Sequence, residues 1–300
     1  MAVEAAIARR QCRPSVITIT VAVELTGRAI VSMLDFLEGM FLRCPRHVRV
    51  MGYVDEIVAI GKRFRVVRDD WTPHLDRSKD VVRRAIAQSE PRRTALIFGS
   101  GRLLDVPLSE LAEAFERVVL VDIIHLGEAR RACRPFANVE LAALDVTGIS
   151  EAAFHRGPTG GPLPESKPAL FLDDPRIDLV ASMNLLSQLP YTPCKYLRRW
   201  NRYSAGELEK FARHLIEAHL AYLGRFTCTV CLIADKEYLT FDAADCLVET
   251  RSALHGIELP WPGEEWHWRL APRTGRGSTS LVHRVRGAIR GQQSFAGPTS

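Results

Sequence analysis

The apolar run 95–98 ends in Gly99-Ser100-Gly101, and Asp122 closes the next apolar run 21 residues after Gly101. A third run, in "LAALDVTG", ends in Asp145. Glycine lets the backbone turn sharply and lets a ligand approach where a Cβ would stand. An acidic side chain at the end of the second strand can accept hydrogen bonds from both hydroxyls of a ribose. A carboxylate at the end of the third can meet an adenine edge. The chemistry implied is the holding of an adenosine, and the remaining question is what the adenosine carries. A dinucleotide fingerprint wants glycines at 99, 101 and 104, the third for close helix–strand packing under a pyrophosphate. Leu104 stands there instead. A cofactor without a pyrophosphate, such as S-adenosylmethionine, has less need of an exposed phosphate-binding helix end.

The elements that must position these residues alternate along the chain. Strand-like runs at 95–98, 118–121, 139–143, 178–182 and 226–234 are separated by helical patterns, which predicts a parallel sheet with helices on both faces. The clearest helix is "SAGELEKFARHLIEAHLAYL" (204–223), with Ser204 as N-cap and Glu207 completing a capping box. A helix is expected to start near Pro107, with Asp105 as its cap. The stretch "HRGPTGGPLPESKP" (155–168) reads as a loop. Before the sheet, "GRAIVSMLDFLEGMFL", "VDEIVAIGKRFRVV" and "WTPHLDRSKDVVRRAIAQ" read as helices, the last starting at its Thr-Pro. "EEWHWRLAP" and "STSLVHRVRGAI" read as a closing pair of strands. The expected organisation is a leader at 1–24, a helical segment at 25–92 on the substrate side, the nucleotide-binding domain at 93–290 and a disordered tail at 291–300. Met33 and Met51 are alternative starts.

Composition is that of an ordinary globular chain, 47% hydrophobic and 25% charged. No apolar run reaches the 18 or so residues of a membrane span. The odd number of cysteines, seven, scattered over 300 residues, predicts free thiols in a reducing compartment and hence a cytoplasmic protein. Cys228 and Cys231 form a CxxC within a strand, where residues three apart face opposite sides. They are expected to be buried structural thiols, and no metal site is predicted. Net charge is +5, and after Glu265 the chain carries six arginines (Arg269, Arg273, Arg276, Arg284, Arg286, Arg290) with no Asp or Glu. These arginines are read as a solvated final hairpin and tail. Their alternative use is to bind RNA, with salt-sensitive affinity.

"LIFGSGRLLD", "VVLVD", "LAALDVT", "IDLVASMNLLSQLP" and "VCLIADKEY", in that order, resemble the glycine motif, ribose acid, adenine-side acid, fourth strand and fifth strand of class I S-adenosylmethionine-dependent methyltransferases. The resemblance covers about residues 94–286. It departs from the family at Ile97, where an acid is frequent, at Leu103, which replaces a glycine, and in lacking an Asn-Pro-Pro-Tyr motif. It implies an α/β fold: a Rossmann-like, seven-stranded, mostly parallel sheet with an antiparallel C-terminal hairpin, preceded by a helical segment. It implies S-adenosylmethionine held by Gly99, Ser100, Gly101, Asp122, Ile123, Asp145, Val146 and Asn184. The acceptor, expected to be a small molecule, would meet Trp71, His74 and Gln188. His125, Asp235 and Glu237 are the candidates for removing its proton, with His267 between two tryptophans as a further one. Two other readings remain open: a nicotinamide-dependent oxidoreductase or epimerase, disfavoured by Leu104 and by the expected absence of a Tyr-x-x-x-Lys pair after the fourth strand, and a non-catalytic protein that keeps the fold.

Overall fold

The computed structural model describes residues 42–271 and 279–292. The described residues all belong to one compact unit, Leu42–Ser300. The leader 1–24, nearly all of the helical run 27–42, Arg273, Arg276 and the tail beyond 292 lie outside the described residues.

Helices α1 (Arg46–Met51), α2 (Tyr53–Val66) and α3 (Arg68–Ala87) precede the sheet. Then come β1 (Thr94–Phe98), α4 (Leu108–Ala114), β2 (Arg117–Asp122), α5 (Gly127–Cys133), β3 (Val139–Ala143), α6 (Ser150–Thr159) and β4 (Ile177–Met183). The chain continues through α7 (Tyr191–Arg198), α8 (Ala205–Gly224), β5 (Thr229–Phe241), β6 (Leu247–Ser252), β7 (Gly263–Ala271) and β8 (Ser280–Arg290). The strand order is β3-β2-β1-β4-β5-β8-β7. Strands β1 to β5 run parallel, and β8 is antiparallel to both β5 and β7. This is the Rossmann-like sheet with an antiparallel C-terminal hairpin that the sequence predicts. An eighth strand is added, because β5 runs on to Phe241 and turns back as β6, which pairs with β5 alone.

Every residue of β1 and β4 is buried, as central parallel strands covered on both faces must be. One face packs Ala95, Ile97, Leu179, Ala181, Cys231 and Ile233 under α3 and α4. The other packs Leu96, Phe98, Val180, Val230 and Leu232 under Ile216, Tyr222 and Leu223 of α8. Cys228 lies in the second cluster and Cys231 in the first, so the CxxC does divide between the two faces. The capping box at Ser204 and Glu207 is also formed.

Two helix boundaries differ from expectation. Helix α3 begins at Arg68 rather than at Thr72-Pro73, so Pro73 lies inside it. Its buried stripe, Trp71, His74, Leu75, Ser78, Val81, Val82 and Ala85, starts before the proline, and Thr72 Oγ1 donates to Arg68 O in that first turn (3.0 Å). Helix α6 runs on to Thr159 through residues predicted to be loop. Pro158 cannot donate to the carbonyl of Phe154, but the Tyr196 hydroxyl does (3.2 Å), and packing of Ala153 and Gly157 holds the turn in place.

His219 of α8 is 1% exposed, with Nε2 3.0 Å from Ser182 Oγ, and burial lowers its pKa to about 4. A buried base with a lowered pKa favours folding in its neutral form. That stability is complete above the unfolded value near 6.5 and is lost as pH falls from there toward 4. The loss at pH 5 is about 2 kcal/mol. Urea unfolding should therefore show a smaller drop in stability between pH 7 and pH 5 for His219→Gln than for wild type, by about that amount. Equal drops in the two proteins would refute it.

Candidate functional site

The glycine turn sits at the C-terminal end of β1. Gly99 N–H donates to Val121 O (2.9 Å), tying the turn to β2. Gly99, Gly101 and Leu103 all have left-handed φ (73°, 47° and 60°). A Cβ at Gly99 would lie 2.8 Å from Met183 O, so this glycine is required by packing. A Cβ at Gly101 would meet nothing nearer than Gly99 O at 3.9 Å and Asp122 Oδ2 at 4.0 Å. Packing therefore does not require glycine at 101.

Asp122, at the end of β2, accepts from Gly101 N–H through Oδ2 and from Ile123 N–H through Oδ1, both at 2.8 Å. Burial raises its pKa, against these N–H donors. The backbone N–H of Ile124 also favours the carboxylate. Residues 102–107 form no helix, and α4 starts only at Leu108, so no helix N-terminus stands at Gly101. Leu103 packs with the core under α3 and α4, and Leu104 with Trp71 and Leu75. Ser100 is 1% exposed, and its hydroxyl has no partner among the described residues.

On the β3 side, the Asp145 carboxylate accepts from Thr147 N–H (2.9 Å), Thr147 Oγ1 (2.6 Å) and Ser150 N–H (2.7 Å). It shapes the loop that leads into α6. Val146 is buried beneath that loop, and half-buried Ile123 packs against the α1–α2 cluster. His125 is 1% exposed with Nε2 3.1 Å from Ala142 O, and burial lowers its pKa. Its ring is held against β3, apart from the residues gathered at the ends of β4 and β5.

At the end of β4, Asn184 takes a left-handed φ of 45° and donates its backbone N–H to Ile233 O (2.9 Å). Its amide Nδ2 donates to Asp105 Oδ2 (2.7 Å) and lies 3.3 Å from His74 Nε2. Asp105 is thus not the cap of α4, which has no side-chain cap. It braces Asn184 instead, and burial raises its pKa. Trp266 Nε1–H donates to His74 Nδ1 (3.1 Å), which fixes the ring with Nε2 turned toward the Asn184 amide. Burial holds the His74 pKa down at about 4, which keeps the ring neutral at pH 7. Asn184 Oδ1 is buried without a partner among the described residues. Trp71 is 2% exposed, donates Nε1–H to Leu270 O (3.1 Å) and packs edge-on to Trp268, so it anchors α3 to β7. Exposed Gln188 donates to Asn184 O (2.8 Å) and pins the loop.

A second cluster lies alongside. Asp235, 3% exposed, accepts from Ser187 Oγ (3.0 Å), and its Oδ1 stands 3.2 Å from His283 Nδ1. The strand pairing slips between Asp235 and Glu237. Such a bulge re-aims side chains, and here it brings Tyr238 onto the His283 ring (centroids 4.4 Å apart). Trp268 joins the two clusters, stacked on His74 at 4.0 Å and edge-on to His283 at 5.3 Å. Glu237 pairs instead with Arg284 (2.9 Å), and His267 is exposed between its two inward-facing tryptophans. The structure therefore gathers Asn184, His74 and Asp235 and leaves out Glu237, His267 and His125. Sequence reasoning missed His283. Its signal was the alternation of "LVHRVRG", which puts His283 on the same face as Val285.

No protein-family model matches the chain, and no curated protein matches it in sequence. Among solved structures it is similar to N-methyltransferase NodS from Bradyrhizobium japonicum WM9 in complex with S-adenosyl-L-homocysteine (13% identity, 70% of this chain and 85% of that one, TM-score 0.32). It is similar also to 1,6-didemethyltoxoflavin-N1-methyltransferase of Burkholderia thailandensis (16% identity, 84% and 92%, TM-score 0.34). A third is an rRNA methylase from Streptococcus thermophilus (9% identity, 72% and 95%, TM-score 0.28). The fold assignment rests on the strand order and register described above.

Proposed function

We propose that the chain is an S-adenosylmethionine-dependent methyltransferase. One observation carries the reading: an open glycine turn with the Asp122 carboxylate beside Gly101, and a helix that begins only at Leu108. The turn suits an adenosine, and the distant helix end offers nothing to a pyrophosphate. Bound there, S-adenosylmethionine supplies a methyl group activated on a sulfonium.

The chain's own residues then have separable tasks. Asp122 accepts the ribose hydroxyls, and Gly101 leaves room for them. Asn184, braced by Asp105 and faced by neutral His74, presents polar groups at the end of β4, where open α/β sheets bind their ligands. Asp235, with His283 Nδ1 3.2 Å from its Oδ1, is the group on β5 that takes the proton an amine or hydroxyl acceptor gives up. Ser187 Oγ donates to the other carboxylate oxygen of Asp235.

One feature favours a nicotinamide reaction instead. Contrary to the expected absence of such a pair, Tyr191 and Lys195 have the Tyr-x-x-x-Lys spacing used by some nicotinamide enzymes. In α7, however, Tyr191 is 53% exposed and Lys195 is paired with Glu56.

Calorimetric titration with S-adenosylmethionine, S-adenosylhomocysteine and NAD decides between the readings. Saturable one-to-one binding of the adenosyl compounds, with none of NAD, is expected. No binding of the adenosyl compounds overturns the proposal. Their binding without methyl transfer to any acceptor in a broad screen would move it to a non-catalytic cofactor-binding protein.

A further inference from the structure

Three of the C-terminal arginines are engaged within the fold. Arg284 pairs with Glu237, Arg286 with Glu265, and Arg290 donates to Gly224 O and lies over the Trp261 ring. The unspent positive charge is elsewhere, on the face built by α1, α6 and the end of α7. There Arg46 lies 6.0 Å over the Phe154 ring, Phe154 stacks on Tyr196 (5.7 Å), and Tyr196 meets Trp200 edge-on (6.1 Å). Trp200 is seated on Gly157, where a Cβ would come within 2.6 Å of its indole nitrogen, yet 43% of the residue stays exposed. Arg202 lies against Gly160, the residue that ends the same helix.

Arg46, Arg198, Arg199 and Arg202 are all exposed, and no ion pair among the described residues engages them. Of the acids nearby, Glu56 pairs with Lys195, Glu207 caps α8 through Ser204, and Glu151 lies at the far, N-terminal end of α6. Arginines at a helix C-terminus are favoured by its dipole, but that does not account for a large exposed aromatic ring among them. An exposed indole ringed by uncompensated guanidinium groups has the two parts of a single-strand platform: a surface on which any base can stack, and charges for its phosphates. Helix α7 starts directly after the Asn184–Gln188 loop, so its eight residues separate this face from the candidate acceptor site by about 12 Å.

We propose that this face docks a single-stranded nucleic acid, with Trp200 stacking on a base and Arg46, Arg198, Arg199 and Arg202 on the phosphates. The proposal goes beyond the methyl-transfer reading and does not need it. If both hold, the bound strand carries the methyl acceptor.

The test is fluorescence anisotropy of a labelled oligouridylate of about 12 nucleotides, on the full chain and without cofactor. Failure therefore says nothing against cofactor binding. Four phosphate contacts predict a slope of log affinity against log salt near −3, so binding weakens about 50-fold between 50 and 200 mM NaCl. In the double variant Arg198→Glu/Arg199→Glu the slope should fall to about −1.4, with affinity at least tenfold lower. Trp200→Ala should cost about tenfold through lost stacking. Circular dichroism and melting confirm that each variant is folded. The proposal is overturned if wild type shows no saturable binding at 50 mM salt, or if the folded variants bind as wild type does. It is overturned equally if polyglutamate of the same length competes as well as the RNA and Trp200→Ala has no effect. The face would then be a site for acidic polypeptides.

Discussion

Asp122→Ala will abolish the stabilisation that S-adenosylmethionine and S-adenosylhomocysteine confer. At ligand concentrations 100 times the dissociation constant, wild type should gain about 2.7 kcal/mol, a rise in melting temperature of about 5–10 °C for a domain of this size. Hydrogen bonds to a charged group contribute about 1.5–3 kcal/mol each. Losing two on the ribose weakens binding by about 3–5 kcal/mol, at least a hundredfold, and the shift disappears. Asp122 also receives the N–H groups of Gly101 and Ile123, so the alanine variant should melt lower even without ligand. Asp122→Asn keeps one acceptor oxygen and separates these effects, with most of the intrinsic stability retained and an intermediate ligand shift. A full ligand shift in Asp122→Ala would remove the ribose role and with it the main support for the cofactor assignment.

The second large effect concerns the two glycines of the turn, which differ in what surrounds them. At Gly99, valine would face a left-handed φ of 73° together with Met183 O at 2.8 Å and Leu185 Cβ at 2.9 Å. A backbone carbonyl in a central strand cannot swing aside. Strain and overpacking each cost about 1–3 kcal/mol, so Gly99→Val should lose about 4 kcal/mol and about 10 °C in melting temperature. At Gly101 the φ of 47° is also left-handed, but a Cβ would make only ordinary contacts, with Gly99 O at 3.9 Å and Asp122 Oδ2 at 4.0 Å. Gly101→Ala should therefore cost about 1 kcal/mol of stability while obstructing the adenosine and reducing cofactor affinity tenfold or more. Calorimetry and thermal melting on the two variants should thus move in opposite proportions. If Gly101→Ala binds as wild type does, the ligand does not pass over this turn.

The residues themselves determined much of this protein. The buried parallel strands, the ends of β1 and β2 at Gly99 and Asp122, the capping box of α8 and the division of Cys228 and Cys231 between faces all follow from sequence patterns. Each depends on interactions within a few residues or on the two-residue period of a strand, which no distant contact has to supply. Asp105 looked like a helix cap because caps are local, but Asn184, 79 residues away, claims its carboxylate. His283 joins Asp235 across 48 residues, through a register set by a bulge whose position strand periodicity alone does not reveal. Only the tertiary structure shows that Arg284, Arg286 and Arg290 are spent internally, while Arg46, Trp200 and Arg202 meet on one face. Charge is counted along the chain, but pairing depends on which groups packing brings within a few ångströms of each other.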